Sequence, residues 1–319
     1  MIRRLRVEWP DEAPFTSRGG RPIRWLAVSD DEEPALGFEA NRAALGTLDA
    51  IVGAGDLSPD YLGFLADAFH VPLVYVRGNH DRGGRWVETV RIAAADALPS
   101  GSIEVLDGVP ILTLEWPGIR HRDRKRHDGT AVFDVVRLAF ALLVRRLIGR
   151  GGPAVVLSHA PPLGVGDGRE DPYHVGFSAY RWLLDRYRPP LWLHGHVHPA
   201  SVERWRIDHA GSQVVNVTGA VLVEIAPPGQ GAPGGPTPDV GQNGPRFTGE
   251  WPSGKAPDSG SGDLRFESFL ASQPTTSRAQ RTLKYQMLGF RPHSAPWPRR
   301  FDRRPPGPTT VPTTSPRGP

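Results

Sequence analysis

The chain has 319 residues, 39% of them hydrophobic, no cysteine, and a formal net charge of +4 with a sequence pI of 9.7. Such a length suits one large domain or two ordinary ones. The missing cysteines exclude disulfides and thiolate metal sites, so any metal must be held by His, Asp, Glu or Asn. The charge is carried almost wholly by arginine. It is compatible with an anionic substrate but does not indicate nucleic acid as a partner. The first residues, MIRRLRVEWPDEAP, have no apolar h-region, and no stretch approaches the roughly 18 uninterrupted apolar residues of a membrane span. A cytoplasmic protein is the expectation.

Taken in order, residues 1–22 read as an irregular or strand-like lead-in. Residues 23–29 are a strand candidate that runs into Asp30-Asp31-Glu32, and 36–47 have a helical mix of charge and apolar residues. A second buried strand at 50–54 ends in Gly55-Asp56; a helix is predicted at 61–69. The stretch 71–81, VPLVYVRGNHD, holds a short apolar run that stops at Gly78 and is followed by Asn79, His80 and Asp81. Alternating apolar runs and helical segments predict an α/β (α+β) sheet architecture. The Asp107-Gly108 pair favours a hairpin within 103–116.

Beyond it the chain turns basic, with RHRDRKR from Arg120 to Arg126, ahead of an amphipathic helix at 131–148. The basic run reads either as a solvated loop or as a weak contact to an anionic or lipid surface. A strand at 154–157 ends in Ser158-His159, a helix follows at 177–186, and a strand at 191–193 ends in His194-Gly195-His196-Val197-His198. Residues 213–217 and 221–225 look like a closing antiparallel pair. From Pro227 about half of the 34 prolines accumulate among Gly, Ser and Thr. This predicts a disordered tail at 227–319 after a domain at 23–226, with 283–290 as its one candidate ordered piece.

Five separated strand ends therefore supply Asp30, Asp56, Asn79-His80, His159 and His196/His198. One buried His is more often a hydrogen-bonded core residue than a ligand. Five such ends at one topological position are another matter, because parallel strands bring their carboxyl ends to one edge. Oxygen and imidazole donors without thiolate suit two divalent ions such as Mn²⁺, Fe²⁺/³⁺ or Zn²⁺. Two ions about 3.5–4 Å apart can clamp an in-line displacement at phosphorus and generate hydroxide near neutral pH.

Asp30, Gly55-Asp56, Gly78–Asp81 (GNHD), Ser158–Pro162 (SHAPP) and Gly195–His198 (GHVH) resemble, in that order, the motifs of the calcineurin-like metallophosphoesterase family. The resemblance spans roughly residues 23–225. It implies a two-sheet sandwich flanked by helices and a metal-dependent phosphohydrolase acting on phosphate monoesters or diesters through a metal-bridging hydroxide. Asp56 would bridge the two ions, Asp30 and His198 would hold the first, and Asn79, His159 and His196 the second. His80 would donate a proton to the leaving group, with Asp81 orienting its imidazole. His194 has no ligand role in this pattern, and His174 reads as a helix-start residue rather than a pocket residue.

One position departs from the family, whose first motif is usually Asp-x-His; here it is Asp30-Asp31-Glu32. Either Glu32 ligates in place of the histidine, or the first ion is weakly held. A non-catalytic scaffold on the same fold is the alternative function, and retention of His80 favours the enzyme.

Overall fold

The computed structural model describes residues 2–81, 97–121, 125–168, 172–198, 204–230 and 318. All but the last fall in one compact unit, Met1–Gly244. The elements in chain order are β1 (Arg3–Glu8), α1 (Ala13–Thr16), β2 (Ile23–Ser29), a 3₁₀ turn at Pro34–Gly37, α2 (Glu39–Ala43), β3 (Ala50–Gly53), α3 (Pro59–Phe69) and β4 (Leu73–Tyr75). They continue with β5 (Ser102–Leu106), β6 (Val109–Leu114), α4 (Asp128–Leu147), β7 (Val155–Ser158), α5 (Ser178–Tyr187), β8 (Leu191–His194), β9 (Arg206–His209), β10 (Ser212–Asn216) and β11 (Gly219–Ala226).

Two mixed sheets result, one ordered β1-β11-β2-β3-β4 and the other β5-β6-β7-β8-β10-β9. Strands β2, β3 and β4 are mutually parallel, as are β6, β7, β8 and β10. Near-continuous apolar runs such as VVLS and LWLH are what strands buried on both faces require. In β7, Val155 and Leu157 point into the core between the sheets with Trp25, Ile111 and Val223. Val156, on the other face, packs with Val135 and Leu138 of α4 and Leu183 of α5. The outer face of the first sheet is covered likewise, with Ile51 and Tyr75 against Leu62 and Leu65 of α3. The architecture is the helix-flanked two-sheet sandwich expected.

Helix α3 shows how locally the ends are set. Ser58 accepts the Tyr61 amide at 3.2 Å, Pro59 occupies the first turn, and His70 closes the helix at φ 54°. The helix expected over 36–47 is instead the 3₁₀ turn and the five residues of α2, split at Phe38, whose backbone is extended.

Of the two readings of the lead-in, residues 3–8 take the strand-like one: β1 pairs in parallel with β11 over its whole length. The expected closing antiparallel pair is also corrected. Strand β10 lies between β8 and β9 in one sheet, and β11 between β1 and β2 in the other. The chain changes sheets between them, at Val217 and Thr218, so the two runs lie in different sheets and do not pair. The Asn216 carboxamide makes the turn between sheets, accepting the Thr218 amide at 2.9 Å and donating to the Val197 carbonyl at 2.5 Å. Strand β9, not recognised in the sequence, meets β10 through Ala210 and Gly211, both at positive φ. The tail expected to be disordered lies outside the described residues from 231 to 317, including 283–290.

Candidate metal centre

The carboxyl ends of β2, β3 and β4 face those of β7 and β8 across the sandwich, and hydrogen bonds fix the strand ends within each set and, through His196 and Asp30, between them. The Gly195 amide donates to the His159 carbonyl at 2.9 Å. The His196 amide donates to Asp30 Oδ2 at 2.9 Å, and the Ser29 hydroxyl to the same oxygen at 2.5 Å. The His80 amide donates to Asp56 Oδ1 at 2.7 Å. Asp30, Asp56 and His196 all sit at positive φ, so each strand bends sharply as it delivers its side chain.

The loops approach so closely that two motif positions exclude any Cβ. At Gly78 it would lie 2.1 Å from Asp56 Oδ1, and at Gly195 1.9 Å from Ser29 Oγ. GNHD and GHVH therefore begin with glycine because Asp56, in the one case, and Ser29 and Asp30, in the other, leave no room for a side chain.

Asp56, His159 and His196 each offer a donor atom, all within 4.8 Å of one another. His159 Nδ1 lies 2.8 Å from the Ala54 carbonyl and donates to it, which turns Nε2 toward the cluster. Nε2 stands 2.8 Å from Asn79 Oδ1 and 3.3 Å from Asp56 Oδ2. Three lone-pair-bearing atoms thus face one another, an arrangement that needs a cation between them, proton or metal. His196 Nε2, 2.9 Å from the Tyr173 carbonyl, is held in the same way. The donor set is the oxygen and imidazole mixture that suits a divalent ion.

The ionisation pattern follows. Burial would raise the Asp56 carboxyl, but the charge and hydrogen bond of His159 outweigh it and hold it at about 2. Burial would lower His159, yet the Asp56 charge beside it brings its pKa up to about 9. Burial, reinforced by the charge of His159, pushes His196 down to about 3, and burial pushes Asp30 up.

A cavity of about 280 Å³ is lined by Asp30, Asp56, Asn79, His80, His174, His196 and His198. Five of the seven expected ligands, together with His80, line it, and His159, beside Asn79 and Asp56, is the sixth brought to the same place. Glu32 is the exception. Its carboxylate accepts the Ser58 hydroxyl at 2.8 Å at an exposed position, beside the start of α3 and away from the cavity lining.

Asp81 is buried, but its Oδ2 accepts the amides of Asp56 and Gly78, both at 2.8 Å. Among the described residues it makes no hydrogen bond to the His80 imidazole; it ties two strand-end loops together. Burial is the main cause that raises its pKa, to about 6. His194 is fully buried and pushed down to about 4 by that burial, in keeping with a structural role.

Sequence reasoning passed over three contributors. His174 lines the cavity, its ring 5.0 Å from that of His196, rather than starting α5. Trp116 packs on His196 at 4.8 Å, delivered by the end of β6, one more strand arriving at this edge. The Tyr173 carbonyl that orients His196 is backbone and leaves no trace in residue type.

Within the basic run, Arg120 and Arg126 are both engaged by the fold. Arg120 is bonded to buried Glu115 at 2.5 Å and lies 3.7 Å from buried Asp134. Arg126 donates to the Gly176 carbonyl at 2.8 Å and stacks over Phe177 at 4.0 Å. They anchor α4 and the 172–177 segment; residues 122–124 lie outside the described residues.

A sequence model of calcineurin-like phosphoesterases matches residues 40–200. No curated relative matches the chain. Among solved structures it is similar to phosphopantetheinyl hydrolase from Mycobacterium tuberculosis, at 16% identity over 67% of this chain and 100% of that one, TM-score 0.39. A dimetal phosphatase from Danio rerio is similar at 13% identity over 62% of this chain and 87% of that one, TM-score 0.40. Vacuolar protein sorting 29 from Cryptosporidium parvum is similar at 12% identity over 62% and 75%, TM-score 0.31.

Proposed function

The chain belongs to the calcineurin-like phosphoesterase family, hydrolases of phosphate esters, and on that premise we propose that it is a binuclear metal-dependent phosphohydrolase. The observation that carries this is the meeting of Asp30, Asp56, Asn79, His159, His196 and His198 from two sheets at one edge. Asp56 would be shared between two ions, Asp30 and His198 would hold the first, and Asn79, His159 and His196 the second. Bound divalent ions supply Lewis acidity at the phosphoryl oxygens and lower the pKa of water.

The remaining work falls to the chain itself. The 280 Å³ cavity admits a phosphoryl group and leaves the rest of the ester at the rim, beside His174. His80, on the exposed side of the cavity with its amide fixed on Asp56, protonates the departing oxygen. A non-catalytic scaffold would leave that imidazole with no task.

The test is turnover of an activated phosphate monoester and diester by chelated protein, before and after Mn²⁺, Zn²⁺ or Fe²⁺ is returned. Metal-dependent turnover of either ester is the expected result. Absence of both metal and turnover after all three additions would overturn the reading.

A further inference from the structure

Helix α4 is apolar on two sides, and among the described residues only one of them is packed into a core cluster. Ala131, Val135 and Leu138 are buried against the second sheet. A second stripe, at the same helical spacing, stands in solvent: Val132, Phe133, Val136, Phe140, Leu143 and Leu147. Phe133 is 62% exposed, Phe140 68% and Leu147 76%, far beyond the scattered surface apolar residues of an ordinary fold.

The charges around this stripe have one sign. By helical spacing Arg137 borders it on one side and Arg146 on the other, both exposed. The two acids of the helix are Asp128, in the first turn and paired with Arg126, and Asp134, which is buried. Beside the helix end lies a groove of about 660 Å³ between α4, α5 and the second sheet. Ile103, Leu112 and Leu142 line it with apolar surface, and Arg145, Arg146 and Arg186 add their charge. Trp182, half exposed, stands beside it.

We propose that the exposed face of α4, with this groove, docks on an anionic lipid bilayer. An interfacial helix combines an apolar stripe with flanking arginines, lying in the headgroup plane without crossing it. No helix among the described residues is long and apolar enough to cross. A second copy of the chain fits less well, because a two-fold contact would set arginines against arginines. An anionic surface accepts the stripe and the charges together. Helix α4 follows β6 and precedes β7, so it starts at the edge where those strands deliver Trp116 and His159. The proposal does not depend on the phosphoesterase reading, and its test involves no turnover.

The experiment is sedimentation of the full chain with phosphatidylcholine vesicles and with vesicles of phosphatidylcholine mixed with phosphatidylglycerol. Binding is expected to the mixed vesicles, weakening as salt is raised. Each arginine neutralised costs roughly fivefold in affinity, so R145Q/R146Q should lose about 25-fold. F140S/L147S should abolish binding while leaving the circular dichroism unchanged. Because the native chain has no cysteine, F140C can carry a single environment-sensitive fluorophore, whose emission should shift to the blue on the mixed vesicles. Equal or absent binding to both vesicles overturns the proposal. So does a blue shift that grows with protein concentration alone, which makes the face a contact between copies. A label already blue-shifted without vesicles, and released when residues 231–319 are removed, overturns it in favour of the tail.

Discussion

The two sheets contribute different chemistry to the site. The first supplies oxygen donors, Asp30, Asp56 and Asn79, from the ends of β2, β3 and β4. The second supplies imidazoles, His159, His196 and His198, from β7 and β8. Neither half is a metal site by itself; the mixed set exists because the sandwich is closed. Metal binding and the docking of the sheets therefore support one another, as expected where a site is absent from the unfolded chain. The difference also places the charge: Asp56 on one sheet faces His159 on the other at 3.3 Å, so the close pair at the centre of the cluster takes one member from each sheet.

Breaking the oxygen half should have the largest effect. Asp56→Asn removes the carboxylate common to both proposed ions and the partner of His159. Metal content should fall below half of wild type, and turnover of every ester should drop by about 10³-fold or more, since Lewis-acid stabilisation is worth several kcal/mol. Metal analysis and rates on one preparation check this. Retained metal with retained turnover would detach Asp56 from the centre.

His80 tests whether the site does more than bind. A positioned proton donor contributes about 10²–10⁴-fold where the leaving group must be protonated. His80→Ala should keep its metals, lose activity in that range on an alkyl phosphate ester, and lose much less on a nitrophenyl ester, whose anion departs unaided. Equal losses on both, accompanied by loss of metal, would make His80 a support for the Asn79 turn.

What the sequence made legible, and what it hid, follows the same division. The residues that meet at the candidate site were readable because doubly buried strands announce themselves as apolar runs, and a polar residue straight after one stands out. His174 was not, since it reaches the cavity from the 172–177 segment, where no periodicity marks direction. Glu32 entered only through its place in the family's Asp-x-His pattern; in the structure Asp30 turns into the left-handed region and Ser58 donates to the Glu32 carboxylate outside the cavity lining. The β10–β11 pair failed because two adjacent apolar runs look alike whether or not the chain changes sheets between them. The apolar character of α4 was visible, but not that Phe133, Phe140 and Leu147 stand exposed.

The imidazole half can be sharpened by proton counting. With no metal bound, Asp56 is already ionised, its pKa near 2, and His196 is already neutral, its pKa near 3. His159, raised to about 9, carries a proton at neutral pH. A metal must displace that proton, because the ligand form of histidine is neutral. Binding at this cluster should therefore release close to one proton at neutral pH and almost none well above pH 9, with affinity rising as pH rises toward that value. Calorimetry of metal binding in buffers of different ionisation enthalpy measures the release. No release at neutral pH would mean that His159 is neutral before the metal arrives.

The smallest effect is expected at Glu32, and it decides what stands where the family has histidine. Glu32 accepts a hydrogen bond from Ser58, the residue that also caps α3 through the Tyr61 amide. Removing it should leave that cap in place and cost no more than about 1 kcal/mol, the usual worth of an exposed hydrogen bond. Glu32→Ala should therefore match wild type in metal content and in its preference among Mg²⁺, Mn²⁺ and Zn²⁺, with at most a slightly lower melting temperature. If Glu32 were a ligand, the first site would lose a hard oxygen donor and the preference would move toward Zn²⁺. Glu32→His separates the cases further. An imidazole swung toward the cavity would restore the family's Asp-x-His pattern and raise affinity for the first ion, whereas one left beside Ser58 would change nothing. Metal titrations of the two variants against wild type show whether this edge of the site is a replaced ligand or an open position.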